Sequence, residues 1–174
     1  MKRSISAGFT AGVTAVGVSL AASLVMPSAV SAVTPDPTPI VFVGDSITEL
    51  CNVNFNSFRD DALSGLVAAG YLVDAVGNRD TEGGAACYGP DNQHEGRASD
   101  DAGEALARLQ STGITGTPDV AFVLLGTNDV QDNIPVGTTI ANINGIMALL
   151  RSANPSIDIV IAQIPPYPGK ATQT

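Results

Sequence analysis

Ser46 follows the apolar run Ile40–Val43 after only Gly44 and Asp45, in "GDSIT". Two other apolar runs close on small polar residues in the same way. One ends in "VGN" with Gly77, the other in "GTND" with Asn128. A serine at the lip of a buried strand, opening a helical segment, has backbone N–H groups pointing outward, where negative charge is favoured. Such a serine can attack an acyl carbon, and its own N–H can help hold the oxyanion that forms. Gly77 offers an N–H that no side chain obstructs, and Asn128 offers an uncharged amide donor. Three neutral donors aimed at one point make an oxyanion hole. Each residue alone has a plainer use: Ser46 as a helix cap, Gly77 and Asn128 as turn residues. What sets them apart is that each stands at the end of its own strand.

An attacking serine needs a base. The chain has one histidine, His94, within the glycine-rich stretch 78–99. A base must come within hydrogen-bond reach of the serine oxygen. His94 is the one imidazole that could do so; the alternative is a local network in which Glu95 or Asp91 bonds to it. Arg97, Asp100 and Asp101 just beyond it read as the solvated start of a helix.

These residues need elements to position them. Short continuous apolar runs, as expected of strands covered on both faces, occur at 40–43, 71–77, 119–126 and 158–164. Between them, Phe58, Ala62, Leu63, Leu66 and Val67 have helical spacing over 57–70, with Gly70 as the stop. Ser99 reads as the N-cap of a second helix carrying Ala102, Leu106 and Leu109 on one stripe. A third helix is expected over 138–154. Phe55, Phe58, Phe122 and Tyr71 read as core. Strands alternating with helices predict an α/β fold, a parallel sheet with helices on both faces. Ligands in such sheets bind outside the carboxyl ends of the strands, where Ser46, Gly77 and Asn128 stand.

With those positions in place, the sequence resembles the SGNH or GDSL hydrolases, esterases and lipases on a flavodoxin-like three-layer α/β sandwich. "GDSIT" at 44–48 matches the family's first block, which implies Ser46 as nucleophile. "VGN" around Gly77 matches the second and "GTND" at 126–129 the third, with Gly77 and Asn128 as oxyanion donors. "HEG" at 94–96 is similar to the branch holding secreted acetyl-xylan esterases and related actinobacterial proteins. The resemblance runs from about Pro39 to Tyr167 and implies hydrolysis of a small-molecule or carbohydrate ester. It implies no cofactor and no metal. The family's fourth block, an Asp-x-x-His near the C-terminus that supplies base and orienter, has no counterpart after the fourth strand. The expectation is therefore a domain lacking the family's last strand and helix. Two functional readings follow: a serine esterase, or a catalytically inactive truncated domain that only binds acyl or sugar ligands. A third, a phosphate-holding turn after the first strand, is poorly served by one glycine and no lysine.

The rest of the chain bounds the setting. Met1-Lys2-Arg3, the small apolar stretch 7–25 and "VSA" at 30–32 have the order of a secretory signal peptide, predicting removal of residues 1–32 and an extracellular protein. Residues 33–39, "VTPDPTP", read as an exposed lead-in to a domain over 40–174. Of 8 basic residues, Lys2 and Arg3 leave with the peptide, so 6 face 17 acidic ones, a net of −11. That charge disfavours nucleic acid and anionic membrane as partners. Two cysteines, Cys51 and Cys87, in an oxidising compartment predict a disulfide rather than a metal site. Closing its 35-residue loop would contribute about 3–4 kcal/mol.

Overall fold

A computed structural model describes residues 35–49, 57–80, 91 and 93–166. The chain divides into units Met1–Val33 and Thr34–Thr174, and every described residue belongs to the second. The expected signal segment, Phe55 and both cysteines fall outside the described residues.

The first strand, β1 (Thr38–Gly44), is the most buried element, with Ile40 to Gly44 shut off from solvent. It runs directly into α1 (Ser46–Glu49). The chain continues through α2 (Phe58–Ala68), β2 (Val73–Val76), a two-residue β3 (Glu95–Gly96) and α3 (Ala102–Thr112). It closes with β4 (Val120–Leu124), α4 (Thr127–Asp132), α5 (Val136–Ala153) and β5 (Asp158–Ile161). All pairings within the sheet are parallel, in the order β2-β1-β4-β5. β1 therefore sits centrally, with the chain winding to one side through β2 and then back past it to β4. This is the flavodoxin-like arrangement, whose switch point is the gap between the ends of β1 and β4.

Alternate residues of the strands feed two cores, because side chains on a strand alternate faces. Val41, Val43, Val76, Ala121 and Val123 pack with Ala105 and Leu109 of α3 and Ile146 and Leu150 of α5. On the other face Ile40, Phe42 and Ala75 meet Leu63 of α2, with Phe58, Leu66 and Phe122 half-buried against them. Phe42 anchors this side, stacked on Phe122 at 5.3 Å between ring centroids and edge-on to Phe58 at 5.9 Å. The three layers are thus α2, the sheet, and the α3–α5 pair.

Several expectations need correction. α3 is capped by Asp101, not Ser99: Asp101 accepts from the Gly103 and Glu104 N–H groups while Glu104 bonds back to the Asp101 N–H. Ser99 instead adopts a left-handed conformation, φ 68°. Tyr71 is not core; it is 61% exposed, because β2 begins only at Val73 and the turn leaving α2 holds Tyr71 outside. Asp100 is buried rather than part of a solvated helix start. The stretch 78–99 is not all loop, since β3 pairs with β1 where β2 has ended, Val43 opposite Glu95. Gly70 does follow the α2 cap residue Ala69, as expected of a stop.

Candidate functional site

Ser46 is two residues beyond the last residue of β1, and Asn128 four beyond the last of β4. Gly44 and Leu124 are register partners, so both loops leave the sheet at the same level and on either side of the switch point. Gly44 is required here for space rather than for a sharp turn. A Cβ on it would lie 1.9 Å from Thr48 Oγ1 and 2.7 Å from the Leu124 carbonyl oxygen. The turn itself is made by Asp45. Its Oδ1 accepts from the Ile47 N–H at 2.9 Å, and its carbonyl accepts from Thr48 and Glu49, so Ser46 is the first residue of a helical turn. Asp45 is fully buried, and burial pushes its carboxyl above the usual range. Bonds from the Ile47 N–H and the neighbouring Thr127 hydroxyl act against that shift, while nearby Asp129 adds to it. The Thr127 contact is the weaker support, because Asp45 Oδ2 and Thr127 Oγ1 both fall outside hydrogen-bond geometry.

Gly77 follows the last residue of β2. A Cβ there would lie 2.4 Å from the His94 carbonyl oxygen, so only glycine lets the end of β2 run against the His94 backbone. Arg79 and His94 form an isolated antiparallel bridge just beyond, with N–H···O bonds of 3.1 and 2.8 Å. The next residue, Asn78, donates its N–H to Glu95 Oε1 at 2.6 Å.

Asn128 opens α4, and its Nδ2 donates to the Asp100 carbonyl at 2.8 Å. One of its two amide hydrogens is thereby fixed, which orients the other. Its neighbour Asp129 is buried and braces the same turn. Asp129 Oδ2 accepts from the Ala102 N–H at the start of α3, and Oδ1 from the Thr139 hydroxyl in α5.

Charged groups that give no sequence signal tie these loops to each other. Glu49, at the end of α1, pairs with Arg79 at 2.5 Å and accepts from the Ala98 N–H. Arg97 donates its N–H to the Gly44 carbonyl at 3.1 Å. Buried Arg59 donates to the Thr48 carbonyl at 2.8 Å, its charge opposed by the same burial. Arg108 bridges Glu95 and Asp100.

His94 is not placed as a base. It is fully buried, and its Nδ1 accepts from the Gly96 N–H at 2.9 Å, which puts the proton of the neutral ring on Nε2. Among the described residues Nε2 has no hydrogen-bond partner. Burial first, then the cations Arg59, Arg79 and Arg108, push its pKa down to about 3. Neither expected partner bonds to the ring: Asp91 accepts from the Ala75 N–H, and Glu95 is engaged by Asn78 and Arg108. Asp91 and His94 have Asp-x-x-His spacing, yet the Asp91 carboxylate is taken up by the Ala75 N–H of β2 and the His94 ring by the Gly96 N–H. Among the described residues no cluster of His, Cys, Asp or Glu could hold a metal ion.

An apolar cavity adjoins the switch point, lined by Leu125, Gly126, Val130, Ile134, Ile140 and Ile164 with a volume of about 210 Å³. Asp129 of α4 and Thr139 of α5 also stand in its wall.

Solved structures with the same fold carry a shared theme. A family 3 carbohydrate esterase from Clostridium thermocellum is 25% identical, with a TM-score of 0.63, covering 76% of this chain and 64% of its own. One from Talaromyces cellulolyticus is 27% identical with a TM-score of 0.56, covering 71% and 60%. An acetyl esterase mutant crystallised with an acetate ion is 26% identical with a TM-score of 0.55, again covering 71% and 60%. The chain thus spans under two thirds of each of these proteins, between 60% and 64% of their length. No curated protein matches it. The GDSL-like lipase/acylhydrolase family matches residues 42–174, from the second half of β1 onward, and the chain belongs to that family.

Proposed function

We propose that the chain carries the nucleophile and oxyanion half of a serine esterase site in a secreted protein. Ser46 is the attacking group, and the N–H groups of Ser46 and Gly77 with the Asn128 amide hold the oxyanion. The observation that carries this reading is the pair of loops at the switch point: Ser46 raised by the Asp45 turn, and Asn128 pinned by its bond to Asp100. The substrate class is a short acyl ester, an acetyl group on a carbohydrate being the leading candidate. That choice is supported by the likeness to two carbohydrate esterases and to an acetyl esterase described with acetate. Export rests on the leader-like segment 1–32.

A second reading is favoured by one observation, the state of His94. The chain's only imidazole is buried and committed to Gly96, so it does not take the Ser46 proton. Without a base a serine hydroxyl is a weak nucleophile at neutral pH. These residues therefore bind the acyl group well and turn it over slowly. In another serine hydrolase, loss of the triad histidine costs ~10⁶-fold, while the oxyanion hole and binding still leave ~10³–10⁴ over water.

The test is hydrolysis of p-nitrophenyl acetate by the chain, Ser46→Ala and Asn128→Ala. The chain and Ser46→Ala are expected to be slow and nearly equal. Asn128→Ala should lose a further factor of roughly 10². Robust Ser46-dependent turnover would overturn the slow-turnover reading, and indifference to both substitutions would overturn the site itself.

A further inference from the structure

We propose that Arg108 is a positioning residue that locks the Gly77 and Asn128 donors into one frame; this rests on the oxyanion reading above. Arg108 lies on α3 and does not reach the loop ends itself. It acts through two acids. Its Nη1 donates to Glu95 Oε2 at 2.8 Å, its Nη2 to the Glu95 carbonyl at 2.9 Å, and its Nε to Asp100 Oδ2 at 3.0 Å. From Glu95 the chain of bonds runs to the Gly77 side, because Glu95 Oε1 accepts the Asn78 N–H at 2.6 Å. From Asp100 it runs to the other side, because the Asp100 carbonyl accepts from Asn128 Nδ2 at 2.8 Å. One guanidinium thus holds the acceptors that aim two different loops.

The group is well suited to such coupling. Side-chain exposure is only 11% for Arg108, 1% for Glu95 and 9% for Asp100, so the ion pairs are little screened by solvent. A planar guanidinium has donors in a fixed fork, whereas an ammonium is a compact point charge whose three donors have no fixed planar geometry. The segment between the two acids is also constrained. Ser99 is held in a left-handed conformation, φ 68°, a cost that persists only where surrounding contacts fix it. Those contacts are the Arg97 N–H on the Gly44 carbonyl, at 3.1 Å, and the Asp100 bonds to Arg108 and Asn128. The segment 97–100 is therefore a strap from the Ser46 turn to the Asn128 turn, and Arg108 is its clasp.

The experiment is nuclear magnetic resonance of the full chain and its Arg108→Lys, Glu95→Gln and double variants, following the Asn78 N–H and the Asn128 side-chain amide. Acetate is titrated into each as a mimic of the anionic intermediate. Glu95→Gln alters only the Gly77 side, yet it is expected to move the Asn128 amide, and that movement should vanish in the double variant. Arg108→Lys keeps the charge and loses the fork. It should leave core amides in place, shift both reporters, and weaken acetate about tenfold or more, the loss of one charge-assisted hydrogen bond. A folded Arg108→Lys protein with unmoved reporters and native acetate affinity overturns the proposal. If Arg108→Lys does not fold, Glu95→Gln decides alone: a still Asn128 amide overturns the coupling and a shifted one supports it. Acetate that leaves the Ser46, Gly77 and Asn128 N–H groups untouched in the parent chain counts against the oxyanion reading. The cross-talk between Glu95 and Asn128 stands or falls separately.

Discussion

Acidification through the ordinary histidine range should destabilise the fold through His94, and the size of that effect follows from its site. The folded pKa is pushed down to about 3 from an ordinary value of 6.5. A histidine depressed in the fold stays neutral there while the unfolded chain takes up a proton below 6.5. Stability is therefore unaffected well above pH 6.5 and falls as pH drops from 6.5 toward 3. The slope is about 1.4 kcal/mol per pH unit in that window, so roughly 2 kcal/mol is lost between about pH 8 and pH 5. Asp45 and Asp91 titrate with the opposite sign, since burial raises both, and they offset part of the total. They are common to the parent and to His94→Asn, whose amide oxygen can take over the Nδ1 role toward Gly96, so they cancel in the difference. Urea unfolding across this range should give a parent curve about 2 kcal/mol steeper than the variant's. Parallel curves would refute the argument. They would mean that His94 accepts a proton in the fold, which would reopen its claim to be a base.

Gly77→Ala places a Cβ against the His94 backbone, 2.4 Å from its carbonyl oxygen, and should cost about 1–3 kcal/mol in urea unfolding. The same change should speed hydrogen exchange at the bridged His94 N–H; unchanged protection there counts against the close approach. Asp101→Ala removes the capping box of α3 and should lower stability by about 1 kcal/mol, whereas Ser99→Ala should not act as a cap loss. Cys51 and Cys87 should give no free thiol when protein recovered from the culture medium is titrated in denaturant without reductant; two thiols would end the disulfide expectation.

β1 and β4 were legible because burial on both faces leaves an uninterrupted apolar run; β5 is equally apolar in sequence, yet its Val160 and Ile161 are exposed rather than covered. The loop ends were legible for the same reason, since the first polar residue after each run marks where the sheet stops. The cap of α3 was misplaced although the signal was present: Asp101 has Glu104 three residues on, as a capping box requires, and Ser99 has only Ala102. Tyr71 reads as core on residue type alone, but the turn after α2 precedes β2 and exposes it. β3 escaped because two residues carry no periodicity; it exists because β1 outruns β2 and leaves an edge to be paired. Arg108 escaped for a different reason. Its partners are 8 and 13 residues away, and only the packing of α3 against the end of the sheet brings them together.

The frame and the base are physically separate problems in this chain, and the structure answers only one of them. Asp45, Gly44, Glu49, Asp100 and Arg108 fix the positions of Ser46, Gly77 and Asn128 by bonds in which no imidazole takes part. The acids near Ser46 are largely engaged in doing so: Asp45 Oδ1 is held by Ile47, Glu49 by Arg79 and Ala98, and Asp100 by Arg108, while among the described residues buried Asp45 Oδ2 has no hydrogen-bond partner. His94 is buried where its backbone bridges Arg79 and its ring accepts from Gly96, so its burial serves the frame at the expense of any role at the hydroxyl. Binding and turnover are accordingly separable here. On the proposed reading a ligand anion needs only the Ser46, Gly77 and Asn128 donors, whereas attack by Ser46 needs a proton acceptor, and buried His94, bonded to the Gly96 N–H, is not placed to be one.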